Sequence, residues 1–462
     1  MTLAVLVFAG AAFALQQTMV IPALPVLQQE FDTTTAWATW LLTGFLLSAS
    51  VATPLLGKLG DQYGKERLLV ISLSVFFLGS VAAVFAPNIG FLIGCRILQG
   101  VGAAVFPLSF SIIRDEFPRE KVPVAVGAVS SVFAIGGGVG LVLSGVILDS
   151  FSWRWIFGLG AVAVAAAVVL VHLFVPESPI KTPSRVDVIG ALLLSAGLVA
   201  LLLGLTEGES WGWSSGRIVG LFAVGVVLLL AWGLVELRVP EPMVDMRMLA
   251  RRPVFFANLT ALIGGAAMFG SFVLVPQFVS TPSSSGYGFG ASATVAGLYL
   301  VPSSIMMLFA GPLAGVLGRR YGSKWPLALG MALVAAAGVG LAAFHDQPAH
   351  VIAAMVLLGA GVAASFAAMA ALITESVRPT ETGIATGMNT VMRTVGGVIG
   401  GQIGAALLTS YTVASTGLPS AHAYSVAFGL SAAAAAVATC VAVFITAPLG
   451  PRRQPKPAEA LD

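Results

Sequence analysis

The residue in this sequence with the clearest chemical meaning is Arg96, which stands inside the apolar stretch 90–105. A cation there costs at least about 2.5–3.5 kcal/mol on insertion scales, so it marks a pathway or a charged partner, unless it snorkels to an interface from a shallow position. A second such cation, Arg393, lies a few turns into a segment rich in glycine (Gly383, Gly387, Gly396, Gly397, Gly400, Gly401). A substrate contact and a snorkel toward the nearer end are both open for it. Gln16, Gln17 and Asn389 bring amides that hydrogen-bond a neutral group but neither gain nor lose a proton near neutral pH. The carboxylates map to loops or to the ends of apolar runs, Glu207 and Glu375 being the two that come closest to a run's interior. An arginine with no acid beside it can attract an anionic group of a substrate.

Other chemistry is missing. His172, His345, His350 and His422 are scattered without metal-ligand spacing, no Ser/His/Asp set assembles, and no GxxxxGK[ST] loop for nucleotide hydrolysis is present. The glycines between Gly136 and Gly140 lack the preceding strand that a phosphate loop requires. An enzyme, a cofactor and a bound metal are therefore not expected.

The elements that must hold these residues follow from composition. Of 462 residues, 58% are hydrophobic and 9% charged, against about 25% charged in a soluble domain, so too little polar side chain exists to cover a water-facing surface. Fourteen apolar runs reach the roughly 20 residues that cross a bilayer as helix, the first at 3–27 and the last at 422–447. They do not alternate in period two, as barrel strands would. The first run lacks a basic flank and is long for a signal peptide, so it counts as span 1.

Basic residues orient the chain. With the N-terminus inside, 19 of the 23 Lys and Arg fall in the even-to-odd loops and the tail, among them Lys58, Lys65, Arg67, Arg114, Lys181, Arg185 and Arg452. The exceptions are Arg96, Arg154, Arg217 and Arg393. Both termini are then cytoplasmic. Trp37, Trp40, Trp153, Trp155, Trp211 and Trp213 fall at outer span ends, as interface anchors should.

An internal similarity lies 258 positions apart: residues 54–64 match 312–322 at Pro, Leu, Gly, Leu, Gly, Tyr and Gly. Spans 1–6 and 9–14 therefore read as parallel six-helix repeats, with spans 7–8 inserted. The expected fold class is an all-α integral membrane protein of fourteen transmembrane helices. Its units are a six-helix bundle over 1–180, a two-helix insertion over 181–250, a second bundle over 251–449 and a cytoplasmic tail over 450–462. Parallel repeats suit a transporter whose halves rock around a midplane site.

At these residues the sequence resembles the major facilitator superfamily, and within it the fourteen-span drug:proton antiporter branch. Gly57-x-x-x-Asp61-x-x-Gly64-x-x-Arg67 looks like the family's loop signature between spans 2 and 3, and Arg96-x-x-Gln99-Gly100-x-Gly102 like its second signature on span 4. Ser152-Trp153-Arg154-Trp155-Ile156-Phe157 and the Leu15–Pro25 stretch resemble the branch's spans 6 and 1. The resemblance implies that Gly57, Asp61, Gly64 and Arg67 form a latch between the halves. It implies a proton and substrate pathway at Arg96, Gln99, Gln16, Gln17, Asn389 and Arg393, and helix packing or gating on span 5 at Gly136, Gly140 and Gly145. Two departures stand out: Gln16 occupies the usual acidic position of span 1, and Leu141 and Ser144 replace a proline and a glycine of the span 5 element.

The implied function is secondary active export of small amphipathic compounds by alternating access, coupled to protons. The alternatives are a carrier of one anionic, lipid or metabolite substrate with weak or no proton coupling, and a membrane receptor or enzyme on the same scaffold. Expected partners are a small-molecule substrate, protons and the lipid of a plasma membrane, with no nucleic acid; the chain is expected to act as a monomer.

Overall fold

The computed structural model describes residues 1–33, 35–178, 187–411 and 418–445. Lys181, Arg185, Arg452, Arg453 and Lys456, the expected boundary at 180/181 and the tail over 450–462 lie outside them. Among the described residues every regular element is helical. Lipid offers backbone groups no hydrogen bonds, and a helix satisfies its own.

The first part of the chain comprises α1 (Thr2–Glu30), α2 (Thr35–Tyr63), α3 (Lys65–Val84), α4 (Ile89–Gly100), α5 (Val105–Glu116), α6 (Val122–Ser150) and α7 (Arg154–Phe174). Next come α8 (Val188–Trp211) and α9 (Gly216–Glu236), joined through the short α10 (Met246–Leu249) to the second part. That part holds α11 (Arg252–Ser280), α12 (Ala293–Leu298), α13 (Val301–Tyr321), α14 (Lys324–Ala343), α15 (Pro348–Ser376), α16 (Thr382–Ser410) and α17 (Ala421–Val443). Among the described residues, thirteen helical segments are long and apolar enough to cross a membrane, with α4 and α5 counted as one and α12 and α13 as one. The 29-residue α6 stands outside that number and packs against α1 and α13.

Polar caps start several of these helices. The Asn88 side chain accepts from the Phe91 N–H at 2.9 Å before α4, and Asp187 does the same for Gly190 at 2.8 Å before α8. The two copies of the internal similarity fold alike. Each has a proline within its helix, Pro54 in α2 and Pro312 in α13, and each helix stops at a tyrosine followed by a glycine of positive φ, Gly64 at 123° and Gly322 at 90°. A side chain disfavours that backbone region, which explains the glycine in both copies.

The cores divide the same way. Leu6, Phe13, Phe45, Phe76 and Phe106 belong to a cluster of the first part, and α11 to α17 share another. The α8–α9 pair is not independent, because Leu194 and Leu198 of α8 and Trp232 of α9 join the second part's cluster. Besides its main partner α9, α8 packs on α2 of the first part and on α16 of the second. Trp153 departs from the expected interface position: it is buried between Phe31 and Phe157, edge-on to both.

Candidate functional site

Three sets of residues make up the candidate site, and the first joins the two parts of the chain at one end. At the end of the bundle carrying Lys58, Lys65 and Arg114, Gly57 of α2 touches Gly383 of α16. A Cβ on either glycine would lie 2.5 Å from the other's carbonyl oxygen. One turn on, Asp61 accepts the Gly383 N–H at 3.1 Å. The first turn of a helix has free amides and a positive dipole end, so a carboxylate is well held there. Gly127 of α6 and Gly311 of α13 make the equivalent approach on the other side, where a Cβ on Gly311 would sit 2.6 Å from the Gly127 oxygen. Arg114 of α5 reinforces the closure by donating to the Val377 carbonyl at 2.6 Å and to the Thr382 hydroxyl at 2.8 Å.

One expected member of this set is elsewhere. Arg67 is exposed, and its backbone N–H reaches Glu177 at 3.4 Å. The cation beside Asp61 is Lys65, with Nζ 3.7 Å from Oδ1, and it also binds Asp115, which accepts from Ser178. Lys65 follows Asp61 by four positions, so the end of α2 and the start of α3 bring it inward, while Arg67 falls on the outer side of α3. Arg319, which replaces Asp61 in the second copy, is exposed.

The second set is a buried polar chain within the first part. Arg96 is fully buried, so it does not snorkel. Its Nε donates to the Leu41 carbonyl at 3.1 Å, its Nη1 donates to Gln99 at 2.6 Å, and its guanidinium lies over the Phe45 ring at 4.3 Å. Gln99 then donates to the Ser80 hydroxyl at 3.0 Å, and Gln16 donates to the same oxygen at 2.8 Å. Arg96, Gln99 and Gln16 are thus brought together. Ser80, which joins them, went unnoticed in the sequence because one serine among many in an apolar run carries no spacing signal. The Arg96 Nη2 has no hydrogen-bond partner.

The third set lines a cavity of about 330 Å³ between the parts, a volume within the range of small-molecule sites. Phe13, Phe45 and Phe106 supply an aromatic wall, and Gln17, Gln402 and Arg393 are the larger polar side chains. The guanidinium of Arg393 lies 4.2 Å over the ring of Phe366. The α16 residues of the lining run from Thr390 to Gln402, about seven to nineteen residues beyond Gly383, or about 10–28 Å along the axis. The cavity therefore lies on the far side of the glycine closure from the basic end. Thr206 of α8 is part of its wall, a contribution that nothing in the run of α8 announced.

Gln16 and Gln17 separate, one facing the buried chain and the other the cavity. Asn389 is engaged with α11, donating to the Ala257 carbonyl at 3.3 Å and to Asn258 at 3.0 Å, and it is absent from this lining. On α6, Gly136 and Gly140 pack inside the first part: the Thr18 hydroxyl donates to the Gly136 carbonyl at 2.5 Å, and a Cβ on Gly140 would collide with that hydroxyl. Gly145 reaches across instead, where a Cβ would lie 3.2 Å from Thr294 Oγ1 on α12. Of the two candidate acids, Glu375 is exposed at the basic end beside Ser323, whereas Glu207 is buried and accepts from Ser210 at 2.6 Å.

A helical membrane bundle with a cavity between its two parts and a glycine-locked closure at one end is the build of a transporter. The family model for the Major Facilitator Superfamily matches residues 6–288 and 280–461, and the chain belongs to that superfamily. It is 27% identical over 376 residues to the tetracenomycin C resistance and export protein of Streptomyces glaucescens, covering 80% of this chain and 69% of that one. It is 28% identical over 390 residues to a multidrug resistance protein B homolog of Mycobacterium tuberculosis, covering 82% and 70%. In fold it is similar to the human organic anion transporter MFSD10, with a TM-score of 0.67 at 14% identity over 96% of this chain and 99% of that one. The proton:xylose symporter XylE gives a TM-score of 0.65 at 15% identity over 96% and 95%. The protein is a multi-pass membrane transporter of this superfamily.

Proposed function

We propose that this transporter exports small amphipathic compounds by alternating access, with both termini in the cytoplasm of a plasma-membrane protein. The observation that carries the reading is the position of the cavity relative to the closure: Gly57, Asp61 and Gly383 shut the basic end, and the cavity lies beyond them. With the basic end cytoplasmic, this is an outward-facing state, and Asp61 is the latch that must let go of Gly383 before the cavity opens inward. In this reading α6 is the fourteenth crossing. Six-helix bundles over 1–180 and 251–449 then move around the cavity, with the insertion over 181–250 between them. The resistance and export relatives support the outward direction.

Proton coupling is the finer part of the proposal. Arg96 is the group that would exchange charge with a proton carrier, yet its partners Gln99, Ser80 and Gln16 do not titrate near neutral pH. That observation favours, as a second reading, weak or absent coupling through this chain of residues. Flux of an exported compound in proteoliposomes, measured with and without an imposed pH gradient, tests both. Gradient-driven accumulation supports the coupled exporter, flux indifferent to the gradient leaves the uncoupled carrier, and no flux in either direction removes the export proposal.

A further inference from the structure

We propose that the central cavity is selective by charge and takes anionic aromatic amphiphiles, with Arg393 as the group that holds the anion. The inference rests on the reading of this cavity as the transport site and adds the chemical class of its ligand. Among the described lining residues there is no carboxylate, and Arg393 is the one side chain carrying a formal charge. Behind the wall stands a second cation, Arg96, over the face of the same Phe45 ring whose side chain lines the cavity. Glu207, which follows the lining residue Thr206 on α8, is itself absent from the lining and accepts from the Ser210 hydroxyl.

The buried Arg96, the half-buried Arg393 and a described lining without a carboxylate give the cavity a positive potential that the surrounding low dielectric does little to screen. A lipophilic cation would enter with no counter-ion. An aromatic carboxylate or sulfonate, in contrast, can stack on Phe13 and Phe106 while its oxygens meet the planar donors of the guanidinium, a geometry that suits two parallel hydrogen bonds. Gln17 and Gln402 add amide donors and acceptors, so a neutral ligand of the same shape also fits, more weakly.

Three probes of one shape separate these cases: 2-naphthoate, 2-naphthamide and (2-naphthylmethyl)trimethylammonium, titrated into the purified full-length protein in lipid nanodiscs. Naphthoate should bind most tightly and the ammonium compound least. In Arg393→Gln, naphthoate affinity should fall about tenfold to a hundredfold, the loss expected for a hydrogen bond to a charged group, while naphthamide changes by less than about threefold. Arg393→Lys, which keeps the charge and loses the fork, should recover part of the naphthoate affinity and serves if the glutamine variant does not fold. Val398→Trp, which fills the cavity away from the charge, should weaken naphthoate and naphthamide together. Ammonium binding as tight as naphthoate, naphthoate binding that ignores Arg393 or Val398, or the absence of saturable binding by all three probes each overturns the proposal. The titration needs neither a gradient nor a second compartment. A carrier that does not export can therefore still pass, and an exporter of cations fails.

Discussion

Replacing Gly57 with alanine should open the closed end of the molecule. The added Cβ would lie 2.5 Å from the Gly383 oxygen and 2.7 Å from its carbon, where even a weak C–H to oxygen contact needs about 3.3–3.6 Å. The atoms met are backbone, so α2 and α16 must separate by about 1 Å. The Asp61 to Gly383 bond, 3.1 Å at rest, then stretches to about 4 Å and ceases to be a hydrogen bond. A buried acceptor losing its donor costs about 1–3 kcal/mol, which shifts the balance between closed and open ends by about fivefold to 150-fold. Thr386, buried on α16 one turn beyond the contact, reports the change as Thr386→Cys in a background lacking Cys95 and Cys440. Its maleimide labelling from the basic side should rise at least about fivefold in Gly57→Ala. Gly94→Ala, whose Cβ meets nothing within 4 Å, is the control and should leave labelling unchanged. Equal labelling of Thr386→Cys with and without the Gly57 change would refute the argument that this contact is the closure.

Further outcomes follow from the same geometry. Asp61→Asn keeps the acceptor but loses the charge opposite Lys65, and should slow transport by about tenfold at normal expression, read as initial flux in vesicles. Ser80→Ala strips Gln16 and Gln99 of a shared partner and should lower stability by about 1–3 kcal/mol in thermal unfolding. Ser109→Ala, which removes a buried hydroxyl that has no hydrogen bond, should cost nothing measurable in the same assay. Gly140→Val drives a branched side chain into Thr18 and Leu15 of α1, and should be destabilising by about 1–3 kcal/mol, with Gly401→Ala, which meets nothing, neutral by comparison.

Much of the site was legible by residue type and little of it by position. Arg96 declared itself because a guanidinium in a long apolar run has to be explained, and Gln16 because it stands where the resembling branch carries an acid. Their link through Ser80 did not, since a hydroxyl can also bond its own helix, as Ser80 does with the Phe76 carbonyl at 2.8 Å. Asp61 was visible between its glycines, but its partner Gly383 lies 322 residues away and offers only a backbone N–H, which every residue has. The loop spacing pointed to Arg67 where the turn at Gly64 brings Lys65 inward. Helices that are apolar on every side give no periodic stripe, so the residues of α2, α8 and α16 that face the cavity were not readable from their own segments. The share of α8 in the cavity wall follows from its packing against both α2 and α16, which its own segment does not encode.

That position of α8 has a mechanical consequence. Its leucines are rooted in the hydrophobic cluster of the second part, while its other flank rests on α2 of the first. If the two parts swing past one another, α8 is carried by one and must glide along the other, working as a gasket over a seam that would otherwise admit lipid tails from the side. Severing its anchorage at Leu194 and Leu198 would then be felt as a leak through the flank of the molecule, with the gate at the basic end still shut.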